Sequence, residues 1–98
     1  MLTPDEIASF NLPMTLDTSH IRDDEKVWSL IKGYKEHILN VHLSAREGAK
    51  QHLPVDDFCK EVVRYLIDSK WTGNVILEYL PEFHGHLLND IELLKAMQ

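Results

Sequence analysis

The chain has 98 residues, of which 44% are hydrophobic, and its formal net charge is −6. This length accommodates one small domain, which we expect to span residues 1–98. The acidic balance, without a run of lysine or arginine, disfavours nucleic acid as a partner because phosphate backbones are bound by positive charge. No apolar stretch approaches the ~18 residues of a membrane span, and residues 1–6 lack the basic start of a signal peptide. We therefore expect a cytoplasmic protein that does not bind a membrane.

The first predicted element is a short helix. Residues 3–6 form a capping box, with Thr3 as the N-cap, proline at the first helical position and Glu6 three residues after the cap. We expect the helix to end near residue 9 or 10. The Asn-Leu-Pro segment that follows breaks it and leads into a first strand, which ends near Thr18.

A second helix and a second strand come next. Acidic residues 23–25 favour a helix N-terminus, the apolar residues that follow keep helical spacing, and Gly33 marks the approximate end. Residues 38–43 are predicted to form the second strand. Residues 44–52 are mostly polar and contain one glycine, which predicts a loop.

The longest predicted helix begins at Pro54 and ends near Ser69. Its apolar positions form one continuous stripe: Val55, Phe58, Cys59, Val62, Val63, Leu66 and Ile67. We expect this stripe to pack under the sheet, with Cys59 as a small core residue. Residues 74–80 form the predicted third strand, and a last amphipathic helix runs from about residue 87.

Strands that alternate with amphipathic helices indicate an α/β fold with right-handed crossovers and a parallel sheet. The predicted order is α-βα-βα-βα. No glycine-rich phosphate-binding motif follows any strand, so a nucleotide-binding function lacks its motif.

Each of the three predicted strands ends at a metal-ligand type of side chain, namely Asp17, His42 and Glu78. The opposite strand face is apolar and comprises Met14, Leu16, Leu39, Val41, Leu43, Val75, Leu77 and Tyr79. Two carboxylates and an imidazole at the ends of neighbouring parallel strands converge on one point, which favours a divalent cation site. The alternative is structural: the acids cap the following helices and the histidine fills space.

Four short stretches resemble the C-terminal portion of the xylose-isomerase-like barrel superfamily, which includes sugar isomerases and epimerases as well as apurinic endonucleases. They are Leu-Asp-Thr-Ser-His at 16–20, Asn-Val-His-Leu-Ser at 40–44, His-Leu-Pro at 52–54 and Val-Ile-Leu-Glu-Tyr at 75–79. The resemblance implies the last three βα units of a (β/α)₈ barrel, with a divalent metal (Mn, Mg, Zn or Co) at the C-terminal ends of the strands.

The resemblance also implies roles for individual residues. Glu78 would be both a metal ligand and a catalytic acid or base. His20 would act in catalysis or contact substrate. His52 corresponds to a loop histidine that binds substrate. Arg46 is a candidate to neutralise a substrate phosphate or carboxylate. A solvated turn residue at His20 and an exposed loop arginine at Arg46 are the competing interpretations.

A complete barrel of this type needs about 250 residues, so the chain is expected to be a partial barrel with three parallel strands. The first hypothesis is a metal-dependent isomerase or epimerase of sugars or sugar phosphates, or a C-terminal fragment of one. The second is a catalytically incomplete, self-associating structural protein that keeps a vestigial metal site. The endonuclease branch is disfavoured, because Lys50 replaces the aspartate that this branch has two residues before its histidine, here His52. A homo-oligomer is expected, since two strand edges of such a sheet lack partners.

Overall fold

The computed structural model describes residues 3–10, 12–21 and 23–98. The helices are α1 (Pro4–Ser9), α2 (Asp24–Tyr34), α3 (Asp57–Asp68) and α4 (Leu87–Lys95). The strands are β1 (Met14–Asp17), β2 (Ile38–Leu43), β3 (Ala45–Glu47), β4 (Lys50–Leu53) and β5 (Asn74–Leu77). Single 3₁₀ segments occupy Lys35–His37 and Pro81–His86.

The main sheet has three parallel strands in the order β1-β2-β5. Asp17 is in register with His42, and Leu43 is in register with Leu77. The predicted mixed α/β fold, with a parallel sheet and flanking helices, is therefore confirmed. Within the described ranges the sheet does not close into a barrel, and β1 and β5 each keep one unpaired edge.

The prediction of a loop over residues 44–52 is wrong, because this segment forms a hairpin. Strands β3 and β4 pair antiparallel as a second sheet, with Ala45 opposite Leu53 and Glu47 opposite Lys50. Gly48 has a φ of +60° in the turn between them, a backbone conformation that glycine adopts without steric cost. The short polar strands carry little hydrophobic alternation, so the sequence pattern did not indicate them.

The third strand is shorter than predicted, since β5 ends at Leu77 rather than at residue 80. The Glu78 amide still donates to the carbonyl of Leu43 in β2 at 3.4 Å, and after it the Leu80 amide donates to the carbonyl of His52 in β4 at 2.9 Å. Glu78 therefore follows the strand directly. The hairpin takes over the backbone hydrogen bonding that a longer strand would have supplied.

The helix caps agree with the local sequence. The Glu6 amide donates to Thr3 Oγ1, and the Thr3 amide donates to Glu6 Oε1, both at 3.2 Å, so the predicted capping box is confirmed. Helix α3 was predicted to start at Pro54 but starts at Asp57. Its N-cap is Asp56, whose side chain accepts a hydrogen bond from the Cys59 amide. None of the helices in the described part of the chain has the length and apolar character that crossing a bilayer requires.

The core lies between the sheet and the helices. Val62 and Leu66 of α3 are buried, as the stripe predicts, whereas Phe58 and Ile67 at its borders are half-buried. Cys59 is also buried in this core, and the burial raises the pKa of its thiol to about 12. The cysteine is therefore a neutral packing residue at physiological pH.

The apolar strand face that the sequence predicts is only partly covered. The register of β1 and β2 shifts by one residue, so that Met14 is opposite Ile38 and Thr15 is opposite Asn40. This bulge interrupts the alternation of side chains along β2 and leaves Leu39 52% exposed. In β5, Val75 is 38% exposed, because this strand lies at the edge of the sheet.

Candidate metal centre

Asp17, His42 and Glu78 meet at the carboxyl ends of the three parallel strands. Each offers one ligand atom, and these atoms all lie within 4.8 Å of one another. The closest pair is His42 Nδ1 and Glu78 Oε2, which are 2.7 Å apart. The structure thus brings together the three side chains that the strand-end pattern singled out, while cation binding itself stays a prediction.

Thr18 and Ser44 hold the ends of β1 and β2 together beside this group. The Thr18 hydroxyl donates to the Ser44 carbonyl at 2.9 Å, and the Ser44 amide donates to Thr18 Oγ1 at 3.2 Å. The Thr18 amide also donates to the His42 carbonyl at 3.0 Å. Both side chains are buried, so these bonds fix Asp17 beside His42 without competition from bulk water. No sequence pattern indicates this pair, because its polar residues are 26 positions apart.

A second group shares Asp17 with the first. The ligand atoms of Asp17, His20 and His52 also lie within 4.8 Å of one another. His20 Nε2 is 3.1 Å from His52 Nε2, and His20 Nδ1 is 3.5 Å from Asp17 Oδ2. The two histidines for which the resemblance implies substrate contacts therefore lie together against one of the predicted ligands, although their contact with substrate is untested.

His52 reaches this position through an unusual backbone conformation. Its φ is +58°, which is uncommon outside glycine and costs on the order of 1–3 kcal/mol, although histidine tolerates it better than most residues. The hydrogen bond from Leu80 to its carbonyl holds the strained residue in place. On the ring, Nδ1 lies 3.4 Å from Ser19 Oγ and 3.5 Å from Ser44 Oγ. Tertiary contacts, rather than local sequence preference, aim this imidazole at the site.

Arg46 lies on β3, next to the site, and its guanidinium is already engaged. Its Nη1 donates to the carbonyl of Ser19, and its Nε donates to the carbonyl of Gly48, both at 2.7 Å. These bonds tie the hairpin to the turn that follows β1. Binding of a substrate anion by Arg46 stays a prediction, and any such anion would meet a side chain that also has a structural role.

The donor set fits a divalent cation. Two carboxylates and an imidazole are ligands used for Mn²⁺, Co²⁺ and Zn²⁺, and three protein ligands leave positions for a substrate. The side chain of Asp17 is 17% exposed, that of His42 is 32% exposed and that of Glu78 is 47% exposed. The site is therefore accessible from solvent, and more so toward the edge strand β5.

No protein-family model matches the chain, and no curated protein or solved structure matches it significantly. The resemblance to the xylose-isomerase-like superfamily consequently rests on the four short stretches of sequence named above. The three-stranded parallel sheet and its strand-end cluster stand independently of that resemblance, because they are properties of the structure.

Proposed function

We propose that the chain is a metal-dependent isomerase or epimerase of sugars or sugar phosphates, or the C-terminal portion of one. The observation that carries the proposal is the convergence of Asp17, His42 and Glu78 at the carboxyl ends of three adjacent parallel strands. In parallel α/β structures this edge is where ligands bind and where catalytic side chains are placed. The three residues would hold one divalent cation.

A cation held by these residues would supply Lewis-acid polarisation of the carbonyl and neighbouring hydroxyl of a sugar. The protein would supply the proton transfer. Glu78 is half exposed and lies at the accessible side of the cluster, which supports assigning its carboxylate the role of taking the proton from the carbon next to the carbonyl. The electron pair left by that proton would form an enediolate. Isomerisation is complete when the proton is added to the former carbonyl carbon and the proton of the neighbouring hydroxyl moves to the former carbonyl oxygen, whereas epimerisation returns the proton to the opposite face of the same carbon. His20, whose side chain is 55% exposed, would contact the substrate through the exposed edge of its ring.

A specific observation also favours a second candidate, a self-associating protein with an incomplete site. Among the residues that the structure describes, β1 and β5 each have one edge without a strand partner, and Val75 and Ile76 on β5 are exposed apolar residues. A site at the border of an open sheet lacks walls on that side. Under this alternative the cation site persists, and the substrate-binding surroundings needed for turnover are missing.

Thermal unfolding with and without Mn²⁺ or Zn²⁺ tests the cation site. A cation at 100 times its Kd should stabilise the wild-type chain by about 2.7 kcal/mol, because it binds only the folded state. This stabilisation should disappear in the double variant His42→Ala and Glu78→Ala. A matched double variant at the exposed residues His86 and Glu92 should keep it. Stabilisation that survives in the first double variant would show that the ligand assignment is wrong.

Isotope exchange distinguishes the two candidate functions. The Mn²⁺-loaded chain is incubated in D₂O with aldoses, ketoses and their phosphates, and deuterium at the carbon next to the carbonyl is followed by NMR. With each protein saturated by Mn²⁺, the isomerase proposal expects exchange that falls at least tenfold in Glu78→Gln, since the amide cannot accept the proton. Cation binding without exchange on any of these sugars would favour the incomplete site instead.

A further inference from the structure

The two histidines beside the candidate metal centre share a hydrogen bond. His20 Nε2 and His52 Nε2 are 3.1 Å apart. A hydrogen bond between two imidazoles requires one nitrogen that carries a proton and one that does not. The remaining nitrogen of each ring therefore decides which histidine is the donor.

The remaining nitrogen of His20 faces a carboxylate. His20 Nδ1 lies 3.5 Å from Asp17 Oδ2. An ionised carboxylate only accepts hydrogen bonds, and it repels a lone pair, so the proton of a neutral His20 belongs on Nδ1. His20 Nε2 is then a bare acceptor. His52 must accordingly donate through its own Nε2–H.

The remaining nitrogen of His52 then needs a donor, and two serines are close to it. Ser19 Oγ lies 3.4 Å and Ser44 Oγ 3.5 Å from His52 Nδ1. The Ser19 hydroxyl already donates to Asp17 Oδ1 at 3.2 Å. Since a hydroxyl has a single proton, Ser44 is the donor to His52. Both serines are fully buried or nearly so, which keeps bulk water from taking over either role.

We propose that Ser44, His52 and His20 form a one-way chain of donors that ends on Asp17. In this arrangement His52 is a positioning residue for the carboxylate, rather than a group that contacts substrate. The inference rests on the proposed function, because Asp17 is one of the three proposed cation ligands. The Ser19 amide and hydroxyl bind Asp17 Oδ1 at 3.1 and 3.2 Å, and the His20 N–H faces Oδ2.

The chain of donors gives the carboxylate a fixed orientation. Ligand carboxylates and histidines in metal sites are held by such outer hydrogen bonds, and removing one commonly lowers metal affinity 10- to 100-fold. The left-handed backbone of His52 serves the same arrangement, because it directs the ring between Ser44 and His20. The strained backbone of His52 thereby acquires a function.

Two substitutions at His52 test the roles of its two ring nitrogens separately. The amide of asparagine reaches the place of Nδ1, and that of glutamine reaches the place of Nε2. His52→Asn therefore removes the donor to His20, and asparagine tolerates the positive φ of this position. His52→Gln restores a donor to His20. His86→Asn, at an exposed histidine outside the chain of donors, is the control.

Two measurements decide the proposal. In the metal-free wild type, ¹⁵N NMR of the imidazoles should show the proton of His20 on Nδ1 and that of His52 on Nε2. Electron paramagnetic resonance of free Mn²⁺ should show an affinity 10- to 100-fold lower in His52→Asn, recovery in His52→Gln and no change in His86→Asn. A His52 proton on Nδ1, or wild-type affinity in His52→Asn, would overturn the inference. If the wild type binds no Mn²⁺, the proposed function and the supporting role of His52 both fail, while the NMR tautomers still judge the direction of the donors.

Discussion

Trp71 and Gly73 show how single residues set the entry into the edge strand of the sheet. Trp71 Nε1 donates to the carbonyl of Ile38 at 2.9 Å, so the indole ring lies across the start of β2. A Cβ atom added at Gly73 would clash with Trp71 Cζ2 and with the Leu39 carbonyl oxygen. The tryptophan ring and the β2 backbone therefore leave no room for a side chain at position 73.

Gly73→Ala should accordingly lower the free energy of unfolding by about 1–3 kcal/mol, since the added methyl group forces the ring or the backbone to move. Urea denaturation measures the change. Gly33→Ala is the control, because a Cβ atom at this position in α2 meets nothing within 4 Å. That substitution should stabilise the chain by up to about 1 kcal/mol, as expected for alanine in place of glycine in a helix. Equal effects of the two substitutions would contradict the close contact at Gly73.

At the scale of elements, helix α3 is amphipathic, with one side buried in the core and the other exposed to solvent. Its buried residues are Cys59, Val62, Val63 and Leu66, which recur at helical spacing on one side. The N-cap Asp56 and the later start at Asp57 change the length of the helix without changing which side is buried. The sequence predicts the buried side of this helix because four apolar residues repeat on one face. That pattern does not depend on where the helix begins or ends.

Leu66→Ala should cost about 2–5 kcal/mol, because Leu66 is 2% exposed and its removal leaves a cavity in the core. Urea denaturation measures the difference in the free energy of unfolding, with the same dependence on urea concentration (m value) fitted to both proteins. Glu61→Ala, at an exposed position of the same helix, should change stability by less than about 0.5 kcal/mol. A loss below about 0.5 kcal/mol for Leu66→Ala would place that face of α3 in solvent.

At the scale of the whole molecule, the outer edges of β1 and β5 have no strand partner within the described residues. An unpaired strand edge presents backbone donors and acceptors that another chain can bind. The edge of β5 also borders an apolar groove of about 580 Å³, formed with α4 and lined in part by Val75, Ile76 and Ile91. These features favour association with a second copy, which would cover backbone and apolar groups together.

We therefore expect the purified chain to be oligomeric. Sedimentation equilibrium at micromolar concentration should give a mass above that of the 11.4 kDa monomer. Val75→Lys should shift the equilibrium toward monomer, because it places a charge at the unpaired edge. Ser29→Lys, at an exposed residue of α2, adds the same single positive charge away from this edge and is the control. A stable, cooperatively folded monomer of the wild type would show that the flanking helices protect the sheet by themselves.

The sequence by itself determined the elements whose signals are local or periodic. The capping box of α1 joins residues three apart, the α3 stripe repeats at helical spacing, and the alternation of strands and helices predicts a parallel sheet. The sequence also predicts that Asp17, His42 and Glu78 lie together, because parallel strands bring their carboxyl ends to one edge of the sheet.

Only the tertiary structure decided the β3–β4 hairpin, the early end of β5 and the surroundings of Asp17. The contact between His20 and His52 joins residues 32 positions apart, and the Thr18–Ser44 clamp joins residues 26 apart. The positive φ of His52 depends on its hydrogen bond from Leu80. Such contacts leave no periodic trace in the sequence, because they form between polar side chains that come together only after the sheet and its hairpin have packed.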